Sequence, residues 1–134
     1  MAFVPSKKGT LLIPSGSSGN PDQNHLHIIM TDECTDGLHL LVNISSIYDG
    51  VFHDPACVLP AGCHKFIVRD SYVVFDRAST RKSAHIVKCV DGWLYKPNGP
   101  VNDEIFDQIA AGVLSSRFIS RGMKKYFMEQ TGIQ

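Results

Sequence analysis

Two alternating segments joined by a short connection that ends in Asp-Gly constrain this chain more than anything else in it. Over residues 25 to 31, Leu26, Ile28 and Met30 fall on one face and His25, His27 and Ile29 on the other. Over residues 38 to 44, Leu38, Leu40, Val42 and Ile44 form the apolar face, and His39 and Asn43 share the opposite face with Leu41. The Asp36-Gly37 turn predicts an antiparallel hairpin, and the period of two then restricts its register. Only pairings with an even residue sum keep both apolar faces together. The two nearest such registers set Asn43 opposite either His25 or His27, placing an imidazole beside an amide on the polar face.

Further strands are expected at residues 10 to 14 (TLLIP), where Pro14 confines the segment to an edge or a strand end, at 71 to 75 (SYVVF) and at 84 to 90 (AHIVKCV). Val90-Asp91-Gly92-Trp93 reads as a second hairpin pairing Val90 with Trp93, with the indole packed across it. Residues 15 to 24, SGSSGNPDQN, read as a long surface loop. Beyond Pro97 and Pro100 the period changes. Ile105, Phe106, Ile109, Ala110, Val113 and Leu114 recur at helical spacing, Asn102 or Asp103 can cap the start, and Asp103 and Glu104 suit the first turn. Gly112 and Ser115-Ser116 weaken the end of this helix, and Met123, Tyr126 and Phe127 mark a second, shorter one.

At 134 residues and 43% hydrophobic content the chain can bury one sizeable core. The expectation is a single domain over residues 1 to 134: a mainly β fold with C-terminal helices. Residues 7 to 96 would form a small, strongly bent antiparallel sheet or barrel, and residues 101 to 131 the helices.

Thirteen basic and thirteen acidic side chains cancel, so no overall field draws the chain to nucleic acid or an anionic membrane, and such binding would need a local patch. Arg77, Arg81 and Lys82 offer one such patch, although their commoner role is a solvated turn. Lys7-Lys8 with Arg117, Arg121, Lys124 and Lys125 offer another. No apolar run approaches the roughly 20 residues that span a bilayer. Cys34, Cys57, Cys63 and Cys89 lack a CxxC pair, and the start MAFVPSKKG lacks a secretory apolar run. A cytoplasmic protein with reduced thiols is expected.

Chemically capable groups are densest in residues 54 to 76, DPACVLPAGCHKFIVRDSYVVFD. A turn at Pro60-Ala61-Gly62 delivers Cys63, His64 and Lys65, and Phe66-Ile67-Val68 leads to Arg69, Asp70, Ser71 and Tyr72. Loops held between strands are where a scaffold presents working side chains. Cys63 and His64 are neighbours that point to opposite sides of an extended segment, which is poor geometry for a thiolate-imidazole pair. Zinc bound by Cys57, Cys63 and His64 lacks a fourth ligand and paired spacing. No metal or cofactor is expected, and buried, inert thiols are the default.

Lys8-Gly9-Thr10 opening the first strand, a long loop, a strand starting at His25, another ending in Val42-Asn43-Ile44-Ser45-Ser46, and the later Ser71-Tyr72-Val73-Val74-Phe75 together resemble the PemK/MazF family of toxin ribonucleases. The family folds as SH3-like barrels with peripheral helices. Gly9 matches its opening glycine and Ser45-Ser46 its hydroxyl pair. Where the family carries a catalytic Arg-Pro, this chain has His25-Leu26, and the segment PAGCHKFIVRDSYV lies outside the family pattern. The resemblance implies a toxin-like endoribonuclease acting on single-stranded RNA.

Such cleavage must deprotonate a ribose 2′-hydroxyl, stabilise charge at the phosphate and protonate the leaving 5′-oxygen, with no obligatory metal. His25 and His64 are the expected acid-base pair, with His27 as the substitute if the strand faces are reversed. Ser45 joins them as a catalytic candidate. Asn43, Ser46, Lys65, Arg69, Ser71 and Tyr72 are the expected substrate contacts. Tyr72, Phe75 or Trp93 could stack on bases. Candidate partners are single-stranded RNA, an antitoxin protein and a second copy of the chain, with no membrane. The alternative reading is a non-catalytic SH3-like barrel that binds a protein partner in a toxin-antitoxin, defence or regulatory system through residues 54 to 70.

Overall fold

The structure, a computed structural model, describes residues 3–14 and 24–133. Six antiparallel strands make one sheet that curls into a half-barrel, with three helices, two of them near the C-terminus. In chain order these are β1 (Thr10–Pro14), β2 (Asn24–Ile29), β3 (Leu38–Ser46), β4 (Val58–Leu59), β5 (Ser71–Lys82), α1 (Ser83–Asp91), β6 (Lys96–Pro97), α2 (Asp103–Ser115) and α3 (Arg121–Thr131). The spatial order is β4-β5-β3-β2-β1-β6. The expected loop over residues 15 to 24 lies outside the described residues except for Asn24, which begins β2.

The hairpin forms in one of the two predicted registers: His27 pairs with Asn43, Ile28 with Val42 and Ile29 with Leu41. Gly37 supplies the positive φ of 75° that this turn requires, a conformation costly for a residue with a Cβ. Alternation then divides the sheet into two faces. Leu26, Ile28, Met30, Leu40, Val42, Ile44, Val73 and Phe75 enter the larger core with Ile105, Ile109 and Val113 of α2 and Phe127 of α3. Leu11, Ile13, Ile29 and Leu41 face the other way, against Ile86 and Cys89 of α1 and Tyr95. Being covered on both sides explains why β3 is buried along most of its length, with Leu41, His39 and Asn43 on the second face buried as well.

Between β3 and β5 the register shifts. Leu41 pairs with Ser79 but Asn43 with Val74, so one β3 residue, Val42, is matched by the four β5 residues 75 to 78. A bulge of this kind bends a strand and strengthens the curl of the sheet.

Residues 84 to 90 correct the sequence expectation: they lie in α1, not in a strand. Ile86, Cys89 and Val90 fall at helical spacing, but Ile86, Val87 and Val90 are β-branched and Lys82 at the N-cap makes no side-chain cap, so local signals favoured a strand. The hairpin at residues 90 to 93 is accordingly the C-terminal turn of α1, where Gly92 N–H donates to the Lys88 carbonyl and Trp93 N–H to that of Val90. Trp93 is 81% exposed, at φ 66°, so its indole is not buried across a hairpin. Arg77, Arg81 and Lys82 lie on β5, not in a turn, and Arg81 donates a 2.6 Å hydrogen bond to the Tyr95 hydroxyl.

α2 begins where expected. The Asn102 side chain accepts from the Ile105 N–H at 2.8 Å, and Ile109 and Val113 are fully buried. Gly112 is no weak point in this helix. A Cβ there would come within 2.6 Å of the Phe75 ring, so glycine is what lets α2 approach the sheet. No helix among the described residues is long and apolar enough to cross a membrane.

Candidate functional site

Asn43 pairs with Val74 and Ser45 with Tyr72, and because His27 pairs with Asn43, His25, Asn43, Ser45, Tyr72 and Val74 share one face of the sheet. This is the face that α1 covers further along, through Ile29 and Leu41. The β2-β3 ladder stops at His27 and Asn43, with His25 and Ser45 one step beyond it. There lies a cleft of about 870 Å³.

The cleft brings together most of the sequence-predicted residues. His25, Asn43, Ser45, Ser46, Lys65, Arg69, Ser71 and Tyr72 all line it. His64 is not among its lining residues. It is half-buried in the loop before β5, where its Nδ1 accepts a 3.1 Å hydrogen bond from the Phe66 N–H, a contact that shapes the loop. The Ser71 hydroxyl donates to the Arg69 carbonyl at 2.8 Å, so it fixes the backbone that carries the arginine. His27 is buried, with Nδ1 3.0 Å from the His25 carbonyl oxygen. Phe75 is fully buried in the core, and Trp93 is not among the residues lining the cleft.

Two irregular segments wall the cleft. The first, after β3, contributes Tyr48, Phe52, His53 and Asp54. Buried Asp54 anchors it: one carboxylate oxygen accepts from the Ala56 N–H at 2.9 Å and the other from the Ser116 hydroxyl at 2.6 Å. Ser116 Oγ in turn accepts from the Phe118 and Ile119 N–H groups at 3.1 and 3.2 Å, which ties the turn after α2 to the same point. Phe52 and Phe118 consequently meet edge to face, with ring centroids 5.2 Å apart. The His53 ring stands 5.4 Å from that of Tyr72.

The second wall is the loop before β5. Its buried Ile67 sits in the core, the Gly62 N–H donates to the Ile67 carbonyl at 2.7 Å, and Asp70 accepts from the Ala61 N–H at 3.0 Å. From this loop the Arg69 guanidinium lies 4.6 Å over the Tyr48 ring. Asp76 and Arg77, in the bulge of β5, complete the lining, and the Arg77 charge acts on His25.

Sequence reasoning missed His53 and Phe118. His53 precedes by one residue the segment in which chemistry was sought, and outside a strand no alternation indicates where a side chain points. Phe118 is tied to the cleft by the Asp54 to Ser116 contact and by the Phe52 ring, which no local pattern announces.

Electrostatics distinguishes the imidazoles and thiols. Burial first, and the Arg77 guanidinium second, push the His25 pKa below its ordinary value. Burial drives His27 down to about 4. All four cysteines are free. Burial raises the Cys57 thiol to about 11 and lifts Cys63 as well, which opposes a thiolate at Cys63. Cys34 goes the other way, its pKa lowered chiefly by the Tyr126 hydroxyl. Among the described residues no group of three or more His, Cys, Asp or Glu side chains is arranged to hold a metal ion.

No protein-family model matches the chain, and no curated protein matches its sequence.

Proposed function

We propose that the cleft binds single-stranded RNA and cleaves it by acid-base chemistry, with His25 as the base and His53 taking the role that sequence reasoning gave to His64. The observation that carries this reading is the presence of two imidazoles, His25 and His53, in one cleft with the cations Lys65, Arg69 and Arg77. A depressed pKa keeps His25 neutral near pH 7, the form needed to accept the 2′-hydroxyl proton. The 2′-oxygen attacks phosphorus, the bond to the 5′-oxygen breaks, and an imidazolium at His53 protonates the leaving oxygen. The products are a 2′,3′-cyclic phosphate and a 5′-hydroxyl. Lys65, Arg69 and the Ser45 and Ser46 hydroxyls are suited to the phosphate oxygens.

The resemblance to PemK/MazF toxins supports the same reading. His25 stands where that family has its arginine and Ser45-Ser46 where it has its hydroxyl pair, and all three residues line the cleft. A cytoplasmic setting and control by an antitoxin protein accompany it. The second reading, a non-catalytic barrel that grips a protein partner, is favoured by exposed apolar side chains around the cleft, Phe52 and Val68 at 69% and 81%.

The test is incubation of the purified protein, with chelator, against a mixed single-stranded RNA pool, followed by analysis of the product ends. Cyclic phosphate termini are the expected result. Intact RNA overturns the catalytic reading in favour of partner binding.

A further inference from the structure

Two aromatic pairs rim the cleft, and each has a geometry that decides what it can hold. Phe52 and Phe118 are 69% and 46% exposed, a large apolar area to leave in water. Their centroids are 5.2 Å apart and their planes 66° apart. A planar base inserted between two rings needs them parallel and roughly 7 Å apart, twice a contact distance of about 3.5 Å. This pair therefore admits nothing between its members and presents one continuous apolar wall.

The second pair differs in kind. The Arg69 guanidinium at 4.6 Å covers one face of the half-exposed Tyr48 ring, so the platform is cationic and planar. Two hydrogen bonds fix its position: Ser71 Oγ holds the Arg69 carbonyl at 2.8 Å, and the Ile47 N–H donates to the Asp70 carbonyl at 3.0 Å. The platforms are neighbours. The Val51 N–H donates to the Tyr48 carbonyl at 3.2 Å in a turn with Gly50 at φ 76°, which keeps the Cα atoms of Tyr48 and Val51 within about 7 Å. Phe52 follows directly.

We propose that the cleft reads single-stranded RNA as a two-nucleotide unit, stacking one base on the Phe52 and Phe118 wall and the adjacent base on the Arg69 and Tyr48 platform. This rests on the reading of the cleft as an RNA site and adds which parts of the RNA it grips. Both platforms recognise the flat face that every base possesses, so the unit is defined by two stacked bases and not by a base sequence.

The experiment measures equilibrium binding of a fluorescently labelled RNA tetranucleotide, made uncleavable by a 2′-O-methyl group at the scissile positions, and of the same strand carrying one abasic position. Wild type, Phe118→Leu and Tyr48→Ala are compared, each checked by thermal melting. Phe118→Leu keeps apolar volume but loses the ring. Each of two adjacent abasic positions should weaken wild-type binding about 5- to 100-fold. Each variant should lose a similar factor on the intact strand and little more on the strand lacking the base that its platform holds. Equal affinity for intact and abasic strands overturns the stacking proposal while the RNA reading stands. So does a mononucleotide that binds as tightly as the tetranucleotide. No binding of the intact strand by wild type overturns both.

Discussion

The Asp54 carboxylate accepts a 2.6 Å hydrogen bond from the Ser116 hydroxyl, 62 residues further along the chain, and thereby joins the segment that follows β3 to the turn that follows α2. Asp54 is 6% exposed, so its carboxylate cannot exchange the bond freely for water. The aromatic wall of the cleft depends on this link, because Phe52 and His53 precede Asp54 and Phe118 follows Ser116.

Asp54→Ala should cost about 1 to 3 kcal/mol, the usual penalty for leaving buried polar partners unsatisfied. It should also weaken RNA binding beyond what the stability loss explains. Thermal melting read beside oligonucleotide affinity checks this. Affinity unchanged in the folded variant would show that the wall is held by other contacts.

The three histidines near the cleft should separate by function. His25→Ala and His53→Ala should each lower cleavage roughly 10²-fold or more with RNA binding largely kept. His64→Ala should shift the melting temperature and leave the rate per folded molecule near wild type, since its observed contact is to the Phe66 N–H. Single-turnover rates beside melting curves distinguish the two patterns, and a rate loss confined to His64→Ala would reverse the assignment.

Packing of α2 on the sheet is tight enough to test at two positions. Ile109 is fully buried, and Ile109→Asp, which places an unpaired charge there, should cost about 3 kcal/mol or more. At Gly112 an added Cβ would lie 2.6 and 2.9 Å from Phe75 ring atoms and 3.0 Å from the Cys57 Cβ. Gly112→Ala should therefore destabilise despite the better helix propensity of alanine, since overpacking costs about 1 to 3 kcal/mol against a propensity gain of about 1. Denaturant midpoints would reveal either effect.

Acid should weaken the fold through His27. Its pKa falls from 6.5 to about 4 on burial. The neutral ring is thus fully compatible with the folded state above pH 6.5, and stability is lost as pH drops from there towards 4, where the unfolded chain binds the extra proton. At about 1.36 kcal/mol per pK unit the loss is roughly 3 kcal/mol. His27→Gln should flatten the decline in melting temperature between pH 7 and pH 4.5. An equally steep decline in the variant would place the acid sensitivity elsewhere.

The cysteines should react in a fixed order. Cys34, half-exposed and with its pKa lowered by the Tyr126 hydroxyl, should be alkylated first by iodoacetamide at pH 7.5, and Cys57, raised to about 11, last. Tyr126→Phe should slow labelling of Cys34. Mass spectrometry of a time course reads both rates.

Alternation made much of this fold legible. The hairpin register, the division of β2 and β3 into faces and the start of α2 all follow from periods and caps within short windows. Residues 84 to 90 did not, because β-branched side chains imitate a strand and only packing of Ile86 and Cys89 against Ile29 and Leu41 selects the helix. The same division holds for the cleft. Asn43 was readable from strand parity, Ser45 from the family resemblance and Tyr72 from the density of polar groups before β5, whereas His53 and Phe118 are positioned by a tertiary hydrogen bond.

The three surplus residues of β5 also bear on how such a cleft can diversify. Val74 and Ser79 lie on the same side of the sheet although one is even-numbered and the other odd, so the two halves of the strand are out of phase. Each half is pinned to β3 by its own ladder, and the excursion between them is bound by neither. Its first residue, Phe75, is tied to the core, which leaves Asp76 and Arg77 as the part that can change while both ladders keep their partners. Asp76 and Arg77, exposed and lining the cleft, occupy that excursion. The charge that depresses the His25 pKa thus sits where neither ladder holds the strand, and a change there can alter the chemistry of the cleft while the sheet keeps its register.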